Sequence, residues 1–213
     1  MLKYNLRYNL KGERRKMNHI TNVFYLSGIS GNIWATYENY LKEGCERMNI
    51  DITFVDFPLQ EKCKYSEWEK AMKEYLKPNT INEHTVIVSR CIGSRFIIKY
   101  VADNNIKVKG IISIATSFSN ELLVEKEYIK SVLLLFPITE DVISKAIANI
   151  EERIFIFGDQ DHLFEKEWLE KTAEMMKAEK FFIPGLNHCG NKSEKKEFPE
   201  LIDAIKKINM TTK

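Results

Sequence analysis

The 213-residue sequence predicts a single α/β domain: a six-stranded, all-parallel sheet with helices on both faces. Three observations predict it. Six short apolar, β-rich runs, at 23–26, 52–55, 85–88, 110–114, 153–157 and 180–183, have the look of buried strands. Amphipathic stretches lie between them, the alternation that βαβ units leave in a sequence. The length fits one domain large enough to bury a core without disulfide or metal staples. Right-handed crossovers, with the third run at the centre, give the spatial order 2-1-3-4-5-6.

Helices are expected at about 32–48, 66–76, 92–104, 164–178 and 199–208. Trp34, Tyr37, Tyr40 and Leu41 recur at helical spacing and are expected in the core, as are Trp68 and Trp168. The connection at about 116–151 is too long for a simple crossover and is rich in leucine. It is expected to cap the carboxyl ends of the strands, where ligands of such sheets bind, and to set substrate preference.

Composition excludes several function classes. Apolar residues at 44% and charged residues at 29% are ordinary for a soluble protein. No apolar run approaches the roughly 20 residues that span a bilayer. A net charge of +2 gives no ground for nucleic-acid binding, and much of the positive charge sits at Lys3, Arg7, Lys11, Arg14, Arg15 and Lys16. Residues 1–18 are therefore expected to be a basic, flexible tail ahead of a domain at 19–213, with Met17 as an alternative start. The tail lacks the apolar core of a secretory signal. Cys45, Cys63, Cys91 and Cys189 form no CxxC pair and no zinc-finger spacing, so reduced thiols in the cytoplasm are expected. His19, His84 and His162 have no second ligand at metal spacing, and neither a metal nor a cofactor is expected.

The chemistry is concentrated in three segments. The third run continues as Ser89-Arg90-Cys91-Ile92-Gly93 straight into a helical pattern. This is the G-x-S-x-G nucleophile elbow with Ser89 for the first glycine and Cys91 for the serine. Small residues flank such a nucleophile because the turn leaves no room for larger ones, and the following helix presents its positive end to a thiolate. The fifth run ends in Gly158-Asp159-Gln160-Asp161, and the sixth is followed by Gly185-Leu186-Asn187-His188. A carboxylate past one strand can orient a histidine past the next. Asp161 is the expected acid, with Asp159 as the alternative. The order nucleophile, acid, histidine is that of α/β-hydrolases.

These segments resemble the small α/β-hydrolases of the RBBP9/YdeN-type serine hydrolase family, over nearly the whole chain apart from the tail. Phe24 to Asn32 with Trp34 resembles that family's first strand and His-Gly loop, and Thr85 to Gly93 its G-H-S-x-G elbow. The resemblance implies Cys91 as nucleophile, Asp161 as acid, His188 as base, and an oxyanion hole from the backbone N–H groups of Ile29 and Ile92. Three positions depart from it. Ser27 replaces the loop histidine, Arg90 the elbow histidine and Cys91 the serine, the last a feature similar to dienelactone hydrolases.

The expected function is hydrolysis of small activated esters, lactones or thioesters through a Cys-His-Asp triad and an acyl-thioester intermediate. A small-molecule acyl substrate is the expected partner, with no nucleic acid and no membrane span. Arg90 is expected in solvent or paired with a surface acid; alternatively its charge, with Ser27, meets an anionic substrate. Cys189 is expected to be incidental, a redox partner for Cys91 being the other possibility. Acyl transfer and a non-catalytic binding module on the same fold are competing functions. So is a nucleotide site at Gly28-Ile29-Ser30-Gly31 with Asp56, although the G-x-G-x-x-G fingerprint is incomplete.

Overall fold

The computed structural model describes residues 20–28, 37–57, 64–76, 80–119, 123, 127–189 and 195–211. The expected tail at 1–18, together with Ile29, Trp34 and Cys63, lies outside the described residues. Six strands form one sheet: β1 Asn22–Leu26, β2 Asp51–Val55, β3 Thr85–Arg90, β4 Val108–Ile114, β5 Ile150–Phe157 and β6 Glu179–Phe182. Their order is β2-β1-β3-β4-β5-β6, with every pairing parallel, as the sequence predicts. The dinucleotide-binding fold has the different order 3-2-1-4-5-6. β3 and β4 are buried at every position, which is why Val86-Ile87-Val88 and Ile111-Ile112 are apolar in succession instead of alternating.

The helices are α1 Glu38–Arg47, α2 Tyr65–Tyr75, α3 Ile92–Asp103, α4 Glu127–Leu135, α5 Glu140–Asn149, α6 Lys166–Met175 and α7 Pro199–Met210. They divide between two apolar layers. On one face α1 and α7 bury Leu41, Cys45, Leu201 and Ile205 against Val23, Tyr25, Val86 and Val88. On the other, Trp68 and Met72 of α2, Phe96 of α3, Val142 of α5 and Leu169 of α6 cover Phe24, Ile87, Ile111 and Phe155. Tyr37 and Leu41 are fully buried, as their spacing predicts, and Trp68 stacks on Phe57 with ring centroids 4.0 Å apart.

The crossover at 116–151 holds two helices. α5 packs along α3 and runs directly into β5, so it is the sheet-flanking helix that a right-handed β4–β5 connection requires. Thr139 caps it, its Oγ1 accepting the Val142 N–H at 3.3 Å, with Glu140 and Asp141 in the first turn. α5 therefore belongs to the layer that flanks the sheet, and α4 precedes it in the connection. In α4, Leu133 is buried, whereas Leu134 and Leu135 are exposed. Among the described residues, no helix is long and apolar enough to cross a membrane.

Candidate active site

Cys91 stands between β3 and α3 with φ 53° and ψ −124°, a backbone conformation that L-residues rarely adopt. Surrounding structure holds it there. The Cys91 N–H donates to the Ile114 carbonyl at 2.9 Å, extending the β3–β4 ladder, and Thr116 Oγ1 donates to the Cys91 carbonyl at 2.9 Å. Gly93 closes the turn against β1. A Cβ at that position would lie 2.4 Å from the Ser27 carbonyl oxygen, so no side chain fits. Ser89, in place of the first glycine, is fully buried.

The acid and the histidine arrive from the two strands beyond. Asp161 follows β5 and is 8% exposed. Its Oδ1 accepts the N–H groups of Leu163 and Phe164 at 2.8 and 3.2 Å, which fixes the carboxylate and leaves Oδ2 for the histidine. His188 Nδ1 donates to that oxygen at 2.8 Å. Asp159, the alternative acid, is used elsewhere: its Oδ1 accepts the Gly185 N–H at 2.8 Å and closes the turn that leads to His188. Glycine is required at 158 because a Cβ there would come within 2.4 Å of the Leu186 carbonyl oxygen of the same turn.

His188 reaches Cys91 in turn. Burial opposes the thiolate, but the positive charge and hydrogen bond of His188, the Arg90 guanidinium and the Ile92 N–H outweigh it and hold the Cys91 thiol below its ordinary range. Burial alone would depress His188. The facing Cys91 sulfur and the hydrogen bonds to Asp161 and Cys91 instead raise it to about 9. Each group thus favours the charged form of the other. Cys45 and Cys189 differ, since burial pushes both thiols up to about 12. All three cysteines are free.

The structure therefore brings Cys91, Asp161 and His188 together, with Ile92 opening α3 and its N–H on the sulfur. Ile29 is among the positions outside the described residues. Arg90 is corrected: far from standing in solvent or on a surface acid, it is 3% exposed, because the residue before the nucleophile turns down onto the α1–α7 face beside Tyr25 and Tyr37. Ser27 is buried with it.

Three residues around the site, Arg95, His162 and Phe164, were given no role there from sequence. Arg95, one turn into α3, donates from Nε to the Phe136 carbonyl at 3.2 Å and from Nη1 to those of Ser117 and Ser119 at 3.0 and 3.2 Å. It ties the elbow helix to both ends of the segment that contains α4. Its one sequence signal is a cation on the buried face of an apolar helix. His162 and Phe164 pack their rings on His188, with centroids 5.6 and 5.8 Å away. Their position immediately after the acid was the available clue.

A parallel sheet of this order, with Cys91 after β3, Asp161 after β5 and His188 after β6, is that of the α/β-hydrolase fold. Solved structures agree. The product of the ydeN gene of B. subtilis superposes with a TM-score of 0.77 at 15% identity, covering 88% of this chain and 98% of that one. A carboxylesterase structure from the Thaumarchaeon Nitrososphaera gargenis gives a TM-score of 0.66 at 13% identity, with 90% and 92% covered. Est1E from Butyrivibrio proteoclasticus, with ferulic acid bound, gives 0.64 at 14% identity, with 95% and 91% covered. No protein-family model and no curated protein sequence matches the chain.

Proposed function

We propose that the protein is an acyl hydrolase that cleaves small activated esters, lactones or thioesters through a Cys91-His188-Asp161 triad. The observation behind this reading is the continuous line from Asp161 through His188 to a sulfur held in a strained turn at a helix start. The hydrolases and esterases among the structural neighbours support the reaction class. In the first step Cys91 Sγ attacks the acyl carbon, and the carbonyl π-electrons move onto oxygen. The oxyanion is held by the N–H groups of Ile92 and Ile29. Collapse breaks the bond to the leaving group, which takes the His188 Nε2 proton, and leaves an acyl thioester. Water then attacks as His188 accepts its proton, the carbon–sulfur bond breaks, and acid and thiolate are released. Asp161 keeps Nδ1 protonated, so that Nε2 faces the reaction.

A free thiolate nucleophile persists in a reducing compartment, which supports a cytoplasmic location. The test is a panel of p-nitrophenyl acetate, an acyl thioester and a small lactone, assayed with the unaltered protein and Cys91→Ala. Turnover of at least one substrate, lost by about 10³-fold or more in the variant, is expected. Equal turnover by a folded Cys91→Ala would overturn the reading.

A further inference from the structure

A guanidinium taken out of water ordinarily sits against a carboxylate, because an isolated buried charge is costly. Arg90 is 3% exposed at the end of the central strand, yet the groups that act on it most are the phenols of Tyr25 and Tyr37 and the thiol of Cys91. Its Nε and Nη2, the edge with which arginine grips an anion side-on, are sealed from solvent and have no hydrogen-bond partner among the described residues. Gly28 shows how near this edge is to the nucleophile. A Cβ at Gly28 would stand 3.2 Å from Cys91 Cβ and 3.3 Å from Arg90 Nη2, so the two groups flank the same point.

The phenols do not supply negative charge near neutrality. Burial pushes Tyr25 up to about 12 and Tyr37 well above its ordinary value, and the two hydroxyls lie 3.1 Å apart. Glu38, at the start of α1, faces Tyr25, and Cys189, with Lys195 and Glu200 beyond it, faces Arg90 from the histidine loop. On the other side of the sulfur stand His188 and Arg95. Of the groups acting most on Arg90, Cys91 is the one whose charged form is favoured over its ordinary range, whereas both phenols are pushed the other way.

We propose that Arg90 is the fixed counter-charge of the Cys91 thiolate, a positioning residue that acts through the nucleophile. Arginine for histidine at 90 and cysteine for serine at 91 are then one coupled departure from the elbow that the sequence resembles. A permanent cation beside the nucleophile suits a residue that attacks as an anion, and does little for a hydroxyl that loses its proton only during attack. The inference rests on Cys91 being the nucleophile, but its deciding readout, the alkylation midpoint, needs no acyl substrate, so the two fail separately.

The experiment follows alkylation of Cys91 in the full-length protein by iodoacetamide, a neutral reagent, across pH, with each cysteine resolved by peptide mass spectrometry. Arg90→Met fills the stem's volume without the charge, and Arg90→Lys restores a charge. The Met variant is expected to raise the midpoint of Cys91 labelling by about one pH unit, which is about tenfold slower labelling below it, and Lys to recover at least half of the shift. A merely structural role would lower stability and leave the midpoint in place. An unmoved midpoint in folded Arg90→Met overturns the proposal. So does a Met variant in which only the KM for a carboxylate-bearing ester rises, which would return Arg90 to substrate recognition. Should the variant not fold, the Nε–H NMR signal of Arg90 in the unaltered protein decides. It is expected to titrate with Cys91, and a signal flat through that midpoint overturns the proposal.

Discussion

At the scale of the residue, Cys91 and His188 set each other's protonation, and a pH dependence follows. The active pair needs the sulfur ionised and His188 protonated, so that the leaving group can take a proton. Activity should rise as pH climbs through the lowered Cys91 value and fall as it passes about 9, where His188 loses its proton. Cys91→Ser inverts the requirement. A serine hydroxyl needs neutral His188 as base, and the sulfur charge that raised the histidine is gone. Its esterase activity should therefore rise with pH and show no descending limb near 9, as kcat/KM profiles on p-nitrophenyl acetate would record. A descending limb at the same pH in both proteins contradicts the ion-pair account. The linkage to stability has a matching sign. The contribution of His188, whose folded value is raised from 6.5, is fully present below 6.5 and is lost as pH rises through about 9. That of Cys91, lowered from 9.0, is present above 9.0 and is lost as pH falls through the folded value.

At the scale of the element, the site is a junction where strand ends are forced close. β1 ends against the elbow with no space for a methyl group at Gly93, so Gly93→Ala should separate β1 from α3 and cost about 1–3 kcal/mol or more, with loss of activity. Denaturant unfolding alongside an acyl-hydrolysis assay would check it; full stability in the variant would mean that the close approach is relieved cheaply. Such junctions explain what was legible in the sequence. The elbow, the acid loop and the histidine loop are each short local strings, and the strand order follows from crossover handedness. Asp159 and Asp161 were not separable, because two residues along a loop differ only in where the backbone aims them, and that shows only in their distant partners, Gly185 N–H on Asp159 and His188 Nδ1 on Asp161. The burial of Arg90 was illegible for a related reason. It depends on Tyr25 and Tyr37, distant in sequence, receiving a cation that composition rules assign to the surface. In the 116–151 connection the leucines gave no sign that α5 would pack along α3 and lead straight into β5.

At the scale of the whole molecule, a rigid parallel sheet gathers three residues from distant parts of the chain at one edge, with both faces covered by helices. Arg95 fastens Ser117, Ser119 and Phe136, at the two ends of the segment that holds α4, to α3 by three backbone carbonyls. The central claim is that this gathering makes Cys91 an acyl acceptor. Intact-mass analysis followed by peptide mapping, after brief mixing with p-nitrophenyl acetate, tests it most directly. The account predicts one acetyl group on Cys91, transient in the unaltered protein, slower to form and to decay by about 10²-fold or more in His188→Ala, and absent from Cys45 and Cys189. An acetyl group distributed over several cysteines at the rate of a model thiol, or none on Cys91 at any time, would contradict it.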